Sequence, residues 1–185
     1  MTACAHVPPP APEVVTAAAR LQSYSASLRV SLKGQGLRGR GRVLLAFARP
    51  DALRVEVPGP GGVRLLAVAR GGRLWAVFPG EAAWFEGAAQ PAQMEALLGL
   101  ALAPDEVMDV LVGRSPTRLR AYEARWQGGL PRQITALLPD GSRLSVKVEQ
   151  ADAGPTLPAA AFEEPPHPGY RRIDVDETRA LWGAR

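Results

Sequence analysis

Cysteine, histidine and lysine are scarce in this chain of 185 residues. The scarcity of cysteine and histidine limits the disulfides, catalytic units and metal sites that the chain can form. The single cysteine, Cys4, excludes an intramolecular disulfide framework. The two histidines, His6 and His167, both lie in proline-rich segments, so the sequence offers no Ser/His/Asp or Cys/His unit. Cys4 and His6 are too few for a metal site. We therefore expect no enzyme activity, no metal site and no cofactor.

Long apolar runs are also missing, so no segment is expected to cross a membrane as a helix. The net charge of +4 comes from 20 Arg and only 2 Lys. The Arg residues are spread along the predicted strands, often beside Glu, and are not clustered with stacking aromatic residues, which argues against nucleic-acid binding. An anionic membrane surface is the alternative partner for the basic residues Arg38, Arg40, Arg42, Arg118 and Arg120.

The central part of the chain, residues 39–86, alternates short apolar segments with Gly and Pro. It predicts strands at residues 39–48, 53–57, 63–70, 73–78 and 83–86. The short connections favour antiparallel hairpins, because parallel pairing needs crossover segments. Apolar residues occur on both faces of the first and third of these strands. We therefore expect a helix to cover one face of the sheet, and a core or a ligand to cover the other.

The flanking segments predict helices and further strands. A short helix is expected at 13–21, a cleanly alternating strand at 23–33, and two helices at 90–98 and 104–112, the second ending at Gly113. Strands are expected at 117–126, 132–138 and 143–149, and a short closing strand at Ile173 and Val175. Leu181 and Trp182 are expected to form an apolar clip or a frayed end.

The first residues, Met1-Thr2-Ala3-Cys4, resemble the end of a bacterial lipobox, in which small residues precede a cysteine that becomes lipidated. The charged and apolar parts of a secretory signal do not precede them, so the start codon would lie further upstream or the segment would have been trimmed. The alternative is a free thiol with no role. The prolines at 8, 9, 10 and 12 predict an extended tether of about 3 Å per residue.

Five motifs, in their order and spacing, resemble the LolA/LolB superfamily of periplasmic lipoprotein carriers and receptors. They are LQSYSAS at 21–27, GRG at 39–41, FARPD at 47–51, RGGRLW at 70–75 and FEEPP at 162–166. The resemblance covers roughly residues 13–175. It implies an α+β fold: an unclosed antiparallel β half-barrel with an N-terminal helix and a helical lid over an apolar cavity. The corresponding division is a tether at 1–12, a lipid-binding domain at 13–176 and a tail at 177–185.

The resemblance and the alternation together give a set of candidate site residues. The candidate lipid-binding cavity comprises Val43, Leu45, Phe47, Arg49, Leu65, Trp75 and Phe78. The candidate lid comprises Met94, Leu97, Leu98, Val107, Met108 and Leu111. In the family, the arginine matched by Arg49 hydrogen-bonds the closed lid; the alternative is a strand-end arginine that reaches solvent. Cys4 is the candidate lipid anchor.

The expected function is to bind acyl chains of lipoproteins, or related envelope lipids, and to help deliver them to the outer membrane. Burying a chain of about 16 carbons is worth on the order of 12 kcal/mol, which requires an apolar concave surface. The expected location is the bacterial envelope, anchored to the outer membrane and facing the periplasm, with a carrier or receptor protein as a further partner. Two departures from the family stand out: residues 58–62 lack the large apolar tip of the anchored receptors, and the soluble carriers have no lipobox cysteine. The alternative is a protein-interaction or stress-sensing module on the same fold.

Overall fold

The computed structural model describes residues 10–34 and 38–183. Its α-helices are α1 (Pro12–Ala19), α2 (Pro91–Leu98), α3 (Pro104–Leu111) and α4 (Val175–Gly183). Its strands are β1 (Ser23–Lys33), β2 (Arg38–Ala48), β3 (Ala52–Gly59), β4 (Gly62–Arg70), β5 (Arg73–Phe78), β6 (Ala83–Ala88), β7 (Ala121–Gln127), β8 (Leu130–Leu137), β9 (Arg143–Ala153) and β10 (Arg171–Arg172). Short 3-10 helices cover Pro79–Glu81 and Ala159–Phe162. The first three α-helices each have Pro in the first turn, where its missing N–H costs no hydrogen bond.

All strands of the described residues join one sheet in the order β10-β6-β5-β4-β3-β2-β1-β9-β8-β7. Strand β1 lies inside it, paired with β2 from Ser23↔Ala48 to Lys33↔Arg38 and with β9 on its other side. Neighbouring strands are antiparallel except for β10, which pairs with β6 in parallel. Because the end strands β10 and β7 do not pair, the sheet stays open. This confirms the predicted unclosed α+β half-barrel.

The two faces of the sheet differ in what covers them. The inner face carries the main apolar core, which continues into helices α1, α2 and α3 through buried Ala18, Met94 and Met108. The outer face has a smaller apolar cluster of Ala52, Val68, Trp75 and Phe162. Around β3, β4 and β5 both faces of the sheet are therefore covered, as expected.

The structure departs most from the sequence-based expectation at three strands. Strand β9 runs to Ala153, four residues beyond its expected end at 149. Strand β7 begins at Ala121, because residues 116–119 form a turn in which the Leu119 N–H donates to the Pro116 carbonyl at 3.1 Å. The expected closing strand at Ile173 and Val175 is wrong. The strand is the parallel β10, and Val175 begins a helix.

The tail predicted at 177–185 is helical as far as residue 183. Helix α4 packs against α2, and Thr178 is only 1% exposed. The Asp174 carboxylate accepts hydrogen bonds from the N–H groups of Asp176 and Glu177, while Glu177 reaches back to the Asp174 N–H. This arrangement is a capping box, a sequence signal that marks the start of α4. None of the helices in the described part of the chain has the length and apolarity needed to span a bilayer.

Candidate functional site

Strand alternation brings six of the seven candidate cavity residues to the inner face. Leu45, Phe47, Leu65 and Phe78 are buried in the main core, and Val43 packs against it half-buried. Phe47 and Leu65 are completely inaccessible. These positions lie on β2, β4 and β5, so a contiguous apolar surface runs across the middle of the sheet.

Helices α2 and α3 cover this surface with the predicted lid residues. Met94, Leu97, Val107, Met108 and Leu111 are buried in the same core, and Leu98 packs at its margin. Met94 and Met108 have no exposed surface. The space between these helices and the sheet is thus occupied by the protein's own side chains.

Helix α3 ends where glycine is required. Gly113 has φ of +88°, and a Cβ on it would lie 2.2 Å from the ring of Trp126. An L side chain at this position would be strained by both the dihedral angle and the contact. The missing side chain at Gly113 lets the chain after α3 lie close to Trp126 of β7.

Arg49 connects the sheet to the lid. Its Nη2 donates to Asp109 Oδ1 of α3 at 2.6 Å, and its Nε donates to the Leu21 carbonyl at 3.2 Å. The two side chains are only 16% and 23% exposed. The guanidinium also lies 5.7 Å from the centre of the Phe47 ring, within cation–π range. A charge at the margin of an apolar face needs such partners, so the alternative of an arginine reaching solvent is wrong.

Asp109 is shared between two arginines. Arg114 Nη1 lies 3.5 Å from the same carboxylate oxygen, and its side chain is half exposed. Asp109 therefore has a second cation nearby besides Arg49. Asp109 was not among the predicted site residues, although an acidic residue inside the apolar pattern of α3 indicates that a cation must lie beside it.

Two tyrosines on the inner face differ in their hydrogen bonding. The Tyr122 hydroxyl donates to the Val110 carbonyl of α3 at 2.9 Å. The Tyr24 hydroxyl is buried with no hydrogen-bond partner among the described residues, and its ring stacks on Phe47 at 5.4 Å. Burial raises the pKa of Tyr24 to about 12, partly offset by the charge of Arg132, and burial also raises the pKa of Tyr122.

Trp75 does not belong to the predicted cavity. Along β5, Leu74, Ala76 and Phe78 join the inner core, and the period of two sends Trp75 to the outer face. There it packs with Phe162, and the Arg73 guanidinium lies 4.9 Å from the centre of its ring. Counting back from Phe78 in steps of two residues gives Ala76 and Leu74, so the alternation alone places Trp75 on the outer face.

The segment after β9 covers the outer face near the β6 edge. His167 stacks on Trp84 at 3.9 Å, and Arg172 lies 5.3 Å from the centre of the same ring. Arg172 is also 3.5 Å from Glu86, whose pKa is lowered chiefly by a hydrogen bond from Arg73. These contacts make His167 part of the packing of this segment. The other histidine, His6, and the candidate anchor Cys4 lie outside the described residues.

A cavity of about 380 Å³ opens at one end of the sheet, beside the β3–β4 hairpin. It is lined by residues 59–65 and 78–81 and by Leu181 of α4. Leu65 and Phe78 belong to the inner core, so this opening leads toward the buried apolar surface. Val63, 38% exposed, is the large apolar residue beside the hairpin turn, which otherwise consists of Gly and Pro. Leu181 was not among the predicted cavity residues.

A second depression, of about 470 Å³, lies across β1, β2, β3 and β9. Its outward-facing lining includes Ser25, Leu44 and Ala46, and the Arg54–Glu56 ion pair at 2.6 Å forms one wall. Leu44 is 40% exposed here. The two depressions share no lining residue, so they lie in different parts of the molecule.

No protein-family profile and no curated protein matches this sequence. Among solved structures, the chain is similar to a DUF1329 family protein from Desulfovibrio piger, with a TM-score of 0.50 and 11% sequence identity. The similarity covers 80% of this chain and 92% of that protein. At this identity the likeness concerns the fold alone.

Proposed function

We propose that this protein binds acyl chains of lipoproteins, or of related envelope lipids, against the inner face of its half-barrel, and that it helps to deliver them to the outer membrane. The observation that carries the proposal is the Arg49–Asp109 ion pair of 2.6 Å, which joins the sheet to a lid helix at the margin of an apolar surface. A permanent core needs no such polar connection, whereas a cover that opens needs a contact that can break and re-form. The same contact is implied by the LolA/LolB resemblance.

The lid has the chemistry for a variable apolar ligand. Met94 and Met108 are fully buried at its underside, and methionine adapts its shape to different partners. When α2 and α3 move away, these side chains and Phe47, Leu45 and Leu65 would become the lining of a groove. The opening beside Leu181 would then continue this groove to solvent.

The proposal includes a place in the cell. A lipidated Cys4 on a proline-rich tether would hold the domain on the outer membrane, facing the periplasm, where it would meet a carrier or receptor protein. The protein acts by binding in this account, with no catalytic step.

One observation favours a second candidate. Phe47, Met94 and Met108 already fill the space beneath the lid, and a permanently filled core is what a protein-interaction or stress-sensing module would have. The two candidates differ in one property, which is whether the lid opens to admit a lipid.

A reversible crosslink across the ion pair tests this difference. We would introduce Arg49→Cys and Asp109→Cys into the full chain carrying Cys4→Ser, and join them with a cleavable bismaleimide. Uptake of a fluorescent fatty acid should be lost on crosslinking and should return when the linker is cleaved. A control pair, Arg54→Cys and Glu56→Cys, joins two residues within β3 and should leave uptake unchanged.

Equal uptake with the lid crosslinked and free would contradict the carrier proposal. A folded protein that takes up no fatty acid in either form would shift the assignment to the interaction module.

A further inference from the structure

On the outer face of the sheet, basic side chains of neighbouring strands lie in register. Arg29 of β1 is paired with Arg42 of β2 on one side and with Lys147 of β9 on the other. Lys147 is paired with Gln133 of β8, which is paired with Arg125 of β7. A single row across these strands, here called the basic row, therefore carries Arg42, Arg29, Lys147 and Arg125.

Further cations extend the basic row toward one end of the sheet. Lys33 is paired directly with Arg143, and Arg40 lies two residues from Arg42 on the same face of β2. All three are exposed, as are the four members of the row. Glu149 and Glu123 are the acidic residues beside the basic row on β9 and β7, and Asp152 and Glu56 lie further along the same face on β9 and β3. The charge of the whole chain is only +4, so positive charge is concentrated here.

The row is not explained by the stability of the fold. Like charges directly opposite each other on paired strands are destabilising. Glu149 relieves this at one end, lying 2.8 Å from Arg29 and 3.4 Å from Arg42. The hydrogen bond from Arg29, followed by the charges of Arg29, Arg42 and Lys147, lowers the pKa of Glu149. Lys147 and Arg125 make no hydrogen bond or ion pair with any described residue.

The composition of this surface indicates the kind of partner. Centres of protein–protein interfaces are depleted in charge and enriched in aromatic residues. Here the centre is charged, and the nearby exposed large apolar side chain is Leu44. A bilayer containing anionic phospholipids supplies phosphates that rearrange to meet a row of cations and requires no shape-matched apolar contact.

We propose that the basic row and its neighbours form a docking surface for an anionic phospholipid bilayer. The surface lies on the sheet face opposite α2 and α3, so docking leaves the lid free to open. This binding is independent of a lipid anchor at Cys4 and of acyl-chain binding on the inner face. It therefore holds or fails separately from the proposed function.

Vesicle co-sedimentation of the full chain carrying Cys4→Ser tests the proposal. The probes are phosphatidylethanolamine/phosphatidylglycerol vesicles and neutral phosphatidylcholine vesicles. We expect binding to the anionic vesicles only, decreasing as salt is raised. The variant Lys147→Gln/Arg125→Gln should bind about 25-fold more weakly, at about fivefold for each charge near an anionic surface.

A matched control separates the row from net charge. Arg20→Gln/Arg70→Gln removes the same charge from exposed residues outside the row that have no ion pair with described residues, and it should bind like the parent protein. Equal weakening in both double variants would overturn the proposal, since bulk charge alone would then account for binding. Equal binding to neutral vesicles would also overturn it, as would binding to duplex DNA or an acidic protein without binding to anionic vesicles.

Discussion

At the scale of single residues, Arg49 decides how the sheet and the lid meet. It closes β2 on the inner face, and its guanidinium contacts α3 and the chain after α1. A hydrogen bond to a charged group contributes about 1.5–3 kcal/mol, so this contact helps to hold α3 against the sheet.

We expect Arg49→Leu to loosen α3 more than the rest of the protein. The substitution removes the ion pair, but Arg114 remains near Asp109, so global unfolding should become easier by only about 1–2 kcal/mol. Hydrogen exchange of the α3 amides should speed up by more than that of the β1 and β9 amides, and lipid transfer should change with it.

Arg54→Leu is the matched control for this variant. Its ion pair with Glu56 has the same 2.6 Å distance but lies on the outer face, away from the lid. It should reduce stability without selective exchange in α3. Uniform loss of protection in the Arg49 variant would argue against a gating contact.

The two inner-face tyrosines should respond oppositely to loss of their hydroxyl groups. Tyr24→Phe removes a buried, unpaired polar group, so the free energy of unfolding should stay unchanged or rise by about 1 kcal/mol. Tyr122→Phe removes the hydrogen bond to the Val110 carbonyl and should lower it by about 1 kcal/mol. Denaturant titration measures both, and a loss of stability in Tyr24→Phe would reveal a partner for its hydroxyl.

Alkaline pH should lower the stability of the protein through the ionisation of Tyr24. The Tyr24 pKa is raised from 10.0 to about 12, so the unfolded chain loses this proton first. Stability is therefore full below pH 10 and falls as pH rises toward 12. In Tyr24→Phe the fall measured by urea titration between these values should be shallower; an identical slope would contradict the assignment.

At the scale of elements, α4 extends the folded unit beyond the predicted domain boundary at residue 176. Ile173, just before it, is 4% exposed, and Leu181 packs against the main core. The helix contacts α2 and lines the opening by the hairpin, so it belongs to the folded unit.

Ile173→Ala should therefore destabilise the whole domain. Truncating a buried isoleucine costs about 3 kcal/mol, which corresponds to a fall in Tm of roughly 6–12 °C for a protein of this size. Leu44→Ala, at a residue that is 40% exposed, should shift Tm by far less. Similar small shifts in both would mean that the C-terminal segment frays without affecting the core.

The type of each element could be predicted from the sequence where the periodicity was strong. The prediction failed where turn or capping signals competed with the periodicity. The alternation of β1 gave its bounds, because eleven residues keep one period. The turn at 116–119 and helix α4 were missed, because short segments leave too few periods to outweigh capping and turn chemistry. The Asp174–Glu177 capping box is a sequence signal from which the start of α4 could have been predicted.

At the scale of the whole molecule, one open sheet presents two surfaces of different chemistry. The inner face is apolar and closed by helices, and part of the outer face is basic and exposed. The sequence predicted the half-barrel and the inner lining except for Trp75. The packing of α3 on the sheet was needed to find the Arg49–Asp109 contact, and the strand registers were needed to find the basic row, because both depend on contacts between distant parts of the chain.

The most direct test of the account is mass spectrometry of material extracted from the full chain after export to a bacterial periplasm and purification without detergent. A form lacking residues 90–112 serves as control, provided that circular dichroism shows its sheet intact. The account predicts stoichiometric acylated lipid from the intact protein and loss of that lipid without the lid. A folded, monodisperse intact protein that yields no lipid would contradict it.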